Sequence, residues 1–349
     1  MSPPGLSDTA ALPQIPHFEK RSVPAPEIPG VTGWVDRVNA DPRPPAAVLA
    51  DLREARAHFA GLLEKGEQTA NADGGRTNKL INAILTSENA RNPGLNAVGC
   101  SHEDKMAGVL RALSGSGSGQ QEGHVRFHLG MVVDIHRIAV DAYRHEAGGF
   151  TLVAVDSSRQ DITATKLAAL ELKHPDIIKG TMDIPTPNQA HEEGCRVHAV
   201  NNLNALFDYQ PHVQGLHKQL YAKSQGLPAP QLSGPEWTNK SGNTHILANE
   251  KDSFRVLAGK FFKHMQVPKP KAGETRTLFD EAEARNPSLK DAPMNKKNQT
   301  LRERFASQNP EKDPAQFSRA DRTASLDRKR LVLLDRAIAH YEGLARAES

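Results

Sequence analysis

At 349 residues the chain can hold one large domain or two ordinary ones, and with 38% hydrophobic and 5% aromatic residues it builds a core only if part of it stays outside. A formal charge of +3 gives no support for nucleic-acid binding, and no window offers the roughly 18 apolar residues that a membrane span needs. Two cysteines, Cys100 and Cys195, supply neither a disulfide framework nor zinc-ligand spacing, which fits a chain working in a reducing compartment.

Residues 1–45 begin "MSPPGLSDTAALPQIPHFEKRSVPAPEIPG", crowded with proline and short of apolar periodicity. Such a stretch cannot bury enough surface to offset its ordering entropy, so disorder is expected. It lacks the charged-then-apolar profile of a secretory leader, and Ser2 stands where N-myristoylation would require glycine. Residues 46–115 read as a helical flank. In "AAVLADLREARAHFAGLLEK" the positions Val48, Leu52, Ala55, Phe59 and Leu62 step by four and three, which predicts an amphipathic helix. "TNKLINAILTSENARNPG" and "KMAGVLRAL" predict two further short elements, and "SGSGSGQQEG" is a flexible boundary.

The character changes over residues 120–250. "HVRFHLGMVVDIHRIAVDAYR" and "FTLVAVDSS" are rich in β-branched residues, with turn chemistry in the intervening "HEAGG". "ITATKLAALELKHPD" then reads as a helix and "IIKGTMDI" as a strand. In "RVHAVNNLNALF" Val197, Val200, Leu203 and Phe207 lie at helical spacing, so residues 124–210 read β-β-α-β-α, an α+β core. Residues 251–349 form a second flank, basic because 14 Lys/Arg oppose 9 Asp/Glu over residues 285–349. It ends in a helix striped with Leu331, Leu334, Ile338 and Tyr341.

The hairpin and the segment "TPNQAHEEGC" carry the candidate chemistry. A turn centred near Glu146 would set Tyr143 opposite Gly149 and His136 opposite Asp156, close enough for the carboxylate to orient the imidazole and favour its protonated form. Ile138 and Val140 would share the face of His136, and Leu152 and Ala154 that of Asp156. Cys195 would begin a helix, where unpaired backbone N–H groups favour a thiolate. Gln189, six positions earlier, could then donate its amide to an oxyanion. Residue type and spacing leave the alternatives open. A lone cysteine is commonly buried packing, as is expected of Cys100, and Asp156 could cap the turn before "SSRQD".

A histidine on a strand, an acid about 20 positions later ending the next strand, and then Gln-x5-Cys before a helix together resemble the Ulp-like cysteine protease clan. Within it, "HRIAVDAYRHEAGGFTLVAVDSS" and "TMDIPTPNQAHEEGC" are similar to the YopJ family of bacterial type III effectors. That resemblance covers residues 124–250. It implies an Ulp-like core, a mixed sheet with helices, flanked by helical regulatory segments. It also implies an acetyltransferase with His136 as base, Asp156 as orienting acid, Cys195 as nucleophile and Gln189 as oxyanion donor. "LSGPEWTNKSGNTH" is similar to the family's autoacetylated stretch and aligns its lysine with Lys240, although Ser241 and Asn243 replace the usual His and Gln. Gly194 stands where an acid is usual, and Arg196 follows the cysteine unexpectedly.

The family further implies acetyl-CoA as acetyl donor and inositol hexakisphosphate as activator. It also implies secretion by a type III system into the host cytoplasm, and a host signalling or defence protein as partner. The expected activator-binding groups are Arg53, Arg56, Arg76 and Lys79 before the core, and Lys260, Lys263 and His264 after it, since a polyphosphate requires clustered cations. Two rival readings use the same residues: a protease acting on ubiquitin-like proteins, and a catalytically dead effector that binds a host protein as a scaffold.

Overall fold

A computed structural model describes residues 28, 30–67, 75–115, 121–131, 136–158, 162–189, 194–227, 236–238, 244–247, 253–265, 280, 283–284, 286–294, 297–308 and 319–348. Three helices come first: α1 (Val31–Asn39), α2 (Pro45–Glu64) and α3 (Arg76–Arg91). Helix α1 lies inside the stretch expected to be disordered. Its Val31 and Val35 are buried, and Asn39 anchors it by donating to Ala97 O at 2.7 Å. The proline-rich composition hid a four-residue apolar step that is enough for one short docked helix. Residues 1–27 lie outside the described residues.

Strand β1 (Ala97–Cys100) and helix α4 (Glu103–Gly115) follow, then β2 (Gly123–Met131), β3 (His136–Arg144) and β4 (Phe150–Asp156). Segment 124–144, read from sequence as one strand, is thus a hairpin of two. Its 21 residues exceed the usual strand limit of about 10, which was the available clue. Next come α5 (Ile162–Lys173), β5 (Ile178–Pro185), α6 (Cys195–Asp208), α7 (Gln210–Ser224), β6 (Glu236–Thr238), β7 (Thr244–Leu247) and α8 (Ser253–Val256). Helices α9 (Leu301–Gln308) and α10 (Arg319–Glu348) complete the chain.

The described strands form one mixed sheet in the order β1-β2-β3-β4-β5-β7-β6. The β2–β3–β4 meander is antiparallel, whereas β4, β5 and β7 run parallel, because α5 and then α6 and α7 intervene between them. Alternation divides the apolar residues between the two faces. Ile138, Val140, Leu152 and Ala154 join one core with α1, α4 and α5, while Ala139, Val153 and Val155 join another with α2, α3, α6, α7 and α10. Helix α6 is therefore central, with Val197, Val200, Leu203 and Phe207 all buried.

The two flanks meet each other. Helix α10 lies against α2 and α3, with Leu334 and Tyr341 in the core that holds Leu52 and Phe59. Each such side chain contributes roughly 1.5–3 kcal/mol when fully buried, against about 0.2–1 kcal/mol for an exposed ion pair. The Arg53–Glu342 and Arg56–Asp335 pairs, 2.7 and 2.9 Å long, therefore align the helices more than they hold them.

Candidate active site

Three chain ends converge at one end of the sheet: the start of β3, the end of β4 and the first turn of α6. The β3–β4 ladder runs from Arg144↔Phe150 to Ala139↔Val155, two residues away from the expected register. Gly148 and Gly149 both take positive φ, 91° and 78°, so both belong to the turn, whose centre moves one residue on. Side-chain parity survives a two-residue slip. The pair accordingly meets just past the last rung, diagonally, with His136 Nε2 2.7 Å from Asp156 Oδ1.

Asp156 is fully buried, and Ser158, Thr163 and Thr186 also hold it. The Ser158 N–H reaches Oδ1 at 2.7 Å, the Thr163 hydroxyl reaches Oδ2 at 2.5 Å, and the Thr186 N–H binds its main-chain carbonyl at 2.7 Å. The carboxylate is thus fixed in place and does not merely lie near the ring. Burial opposes a charge on His136, but hydrogen bonds to Asp156 and to Cys195, together with their negative charge, outweigh it and push its pKa up to about 10. With Nε2 taken by Asp156, Nδ1 is the ring nitrogen left to serve the thiol.

Cys195 is buried at the first position of α6. Gly194 precedes it at φ 107°, a conformation that a side chain would strain. That accounts for a glycine at a position where the family resemblance implies an acid. Gln189 is half-buried, its N–H donates to Ser157 O at 2.9 Å, and its Oε1 accepts from Ser157 Oγ at 3.0 Å. Arg196 sends its Nε to Asn78 Oδ1 at 2.9 Å, so its side chain ties α6 to α3. Cys100 sits within β1, with its thiol pushed up to about 12 by burial, as suits a packing residue.

The geometry has relatives. Residues 49–336 match the family model described as YopJ Serine/Threonine acetyltransferase. The chain belongs to the YopJ family. Among solved structures, AvrA delL154 with IP6 and CoA is 18% identical, with 85% of this chain and 98% of that one covered at a TM-score of 0.58. HopZ1a in complex with IP6 is 14% identical over 90% of this chain and 98% of its own, also at 0.58. HopZ1a in complex with IP6 and CoA gives 15%, 85%, 98% and 0.55. These likenesses show that the α+β fold is that of YopJ effectors. No match is found among curated protein sequences.

The cations expected to bind an activator have different surroundings. Arg53 and Arg56 are exposed in their pairs with α10, and Lys260 pairs with Asp208. Arg76 and Lys79 are exposed near the start of α3. Lys263 and His264 do enter a cluster, and its other members escaped the sequence reading: Arg304 on α9, and Arg328 and Lys329 on α10. Burial first, and then the charges of Arg336, Lys263 and Arg91, push Lys329 down to about 8 against the opposing pull of Glu88. Burial and the charges of Lys329, Arg304 and Lys263 hold His264 well below the ordinary range. Arg304 is lowered by burial and by Arg328. Like charges that depress one another mark a local surplus of positive charge. The basic composition of residues 285–349 was its one visible trace.

A second buried imidazole–carboxylate pair lies under α7. His124 Nδ1 donates to Asp141 Oδ1 at 3.0 Å, and Asp141 and His217 complete a spacing that would suit a cation. The Arg126 guanidinium, 3.5 Å from Asp141 Oδ2, already balances that carboxylate and helps hold its pKa down at about 2 despite burial. This network braces the fold. Lys240 lies outside the described residues. No described helix is long and apolar enough to cross a membrane.

Proposed function

We propose that this YopJ-family chain is a type III secreted effector that acts in the host cytoplasm as a protein acetyltransferase with an acetyl-cysteine intermediate. Cys195 gives up its proton to His136 and attacks the acetyl-CoA thioester. As the S–C bond forms, the carbonyl π pair moves onto oxygen, and the Gln189 amide donates to that oxyanion. Collapse of the intermediate breaks the bond to the CoA sulfur, which takes the proton from His136. A hydroxyl or amine of a host protein, deprotonated by His136, then attacks acetyl-Cys195 and leaves with the acetyl group. Lys240 is the proposed site of self-modification. The observation that carries this reading is His136, hydrogen-bonded to buried Asp156 and to Cys195 at the tip of α6.

Inositol hexakisphosphate fits the cluster of Lys263, His264, Arg304, Arg328 and Lys329, whose crowded positive charge is relieved by a polyanion. The IP6 and CoA in the AvrA and HopZ1a complexes support both ligands. Labelled acetyl-CoA with the activator tests the reading. Hydroxylamine-labile acetyl on Cys195 and stable acetyl on Lys240 are expected, and Cys195→Ala should abolish both. Label that is unaffected by Cys195→Ala refutes the proposed chemistry. Cleavage of a ubiquitin-like fusion without acetyl transfer would favour the protease, and an undiminished host effect of Cys195→Ala would favour the scaffold.

A further inference from the structure

We infer that Ser157 is the positioning residue of the oxyanion site: its hydroxyl fixes which end of the Gln189 amide faces the reacting carbonyl. The inference rests on the acyl-transfer reading above and deepens it. A glutamine side chain offers a donor end and an acceptor end of nearly the same shape, and only the NH₂ end can stabilise an oxyanion. Left alone on a half-buried segment, the amide would sample both orientations and many rotamers. Two contacts prevent this. The Gln189 N–H donates to Ser157 O at 2.9 Å, which clamps the backbone of the Gln189 segment to the end of β4. The Ser157 hydroxyl donates to Gln189 Oε1 at 3.0 Å, which occupies the acceptor end and leaves Nε2 as the end available to an oxyanion.

Ser157 is itself enclosed. It is 1% exposed and lies between Asp156 and Ser158. Its two neighbours are already tied together, since the Ser158 N–H binds the Asp156 carboxylate at 2.7 Å and the Ser158 hydroxyl lies 3.3 Å from His136 Nε2. Three successive residues, Asp156, Ser157 and Ser158, therefore address two different parts of the site. The first and third face the imidazole, whereas the second faces the oxyanion donor. The two tasks are divided within the bend that follows β4. The base and the oxyanion donor are thus registered to each other through a single tripeptide, although Gln189 and His136 are far apart in sequence.

A test that does not depend on CoA binding is the burst of p-nitrophenolate when the full chain is acylated by p-nitrophenyl acetate. Any acyl transfer to Cys195 passes through the same oxyanion. Removing one oxyanion donor typically costs about 100- to 1000-fold, so Gln189→Ala should lose about that much of the acylation rate. Ser157→Ala should lose roughly tenfold or more, because it misaligns a donor that is still present. The double variant should be no slower than Gln189→Ala alone, since the two act as one unit. Alkylation of Cys195 by iodoacetamide creates no oxyanion and should proceed at the wild-type rate in Ser157→Ala, which also shows that the variant is folded. Ser157→Thr, which keeps the hydroxyl, should recover most of the burst.

Additive losses in the double variant, equal losses in burst and alkylation, or a wild-type burst in Ser157→Ala would each overturn the inference. A burst that survives Cys195→Ala would instead overturn the acyl-transfer reading of the site.

Discussion

Replacing Asp156 by asparagine isolates what the carboxylate charge does to His136, because the shape of the side chain is kept. In the native protein the imidazole pKa is raised from the ordinary 6.5 to about 10, against burial, by hydrogen bonds and charge from Asp156 and Cys195. At about 1.36 kcal/mol per pH unit, that preference for the charged ring is on the order of 5 kcal/mol, shared between the two partners. An opposite charge in contact typically supplies one to three pH units of such a shift, so Asp156→Asn should lower the His136 pKa by about that much. Burial, which already opposes the charge, would then take a larger part in setting it. NMR titration of the ¹³Cε1-labelled histidines reads this directly. The same linkage predicts a stability signature. A raised folded-state pKa stabilises fully below pH 6.5 and loses its effect as pH climbs through 6.5 toward 10. The melting-temperature gap between native protein and Asp156→Asn should accordingly be widest at pH 6 and narrow toward pH 10. A native His136 that titrates near 6.5, or a gap that stays constant with pH, would refute the reasoning.

Three further perturbations test other parts of the site. Thr163→Val removes the 2.5 Å donor to Asp156 Oδ2 and leaves a buried carboxylate oxygen short of a partner, which should cost about 1–3 kcal/mol in urea unfolding. Gly194→Ala forces a side chain onto φ 107° and should destabilise by about 1–3 kcal/mol, while also slowing iodoacetamide at Cys195 by misdirecting the first turn of α6. Calorimetry with inositol hexakisphosphate should show Arg304→Ala or Lys329→Ala weakening binding about tenfold or more, since a hydrogen bond to a charged group contributes about 1.5–3 kcal/mol. Arg53→Ala, which breaks only an exposed pair with Glu342, should leave that affinity within about twofold.

The legible parts of the molecule were those governed by short-range periodicity. The apolar steps of α2 and α10 and the helix after Cys195 appear where the pattern placed them, whereas the first β-branched run divides into two strands. The His136–Asp156 contact was legible for a subtler reason. The ladder was misjudged by two residues, yet a two-residue slip keeps side-chain parity, so the pair still met on a diagonal. An error of one residue would have separated them. Ser157 and Thr163 were overlooked because hydroxyls are common at strand ends and helix starts, and their targets, Gln189 and Asp156, are chosen by the fold.

The cationic cluster shows why charge is harder to read than apolar pattern. A buried leucine is announced by its neighbours three and four positions away, but a lysine's meaning depends on which carboxylate reaches it. Arg53 and Arg56, expected to meet an activator, pair with Glu342 and Asp335 from the far end of the chain. Around Lys263 the neighbours from α9 and α10 are themselves basic, which is a property of how α10 packs and not of any local motif. That packing also brings the cluster to the helix that Cys195 begins. His198, one turn after Cys195 on α6, is buried, and its charge is among those that disfavour a charge on His264. On the proposed reading, an anion neutralising Lys263, Arg304 and Lys329 would act on a cluster that meets α6 through His264 and His198.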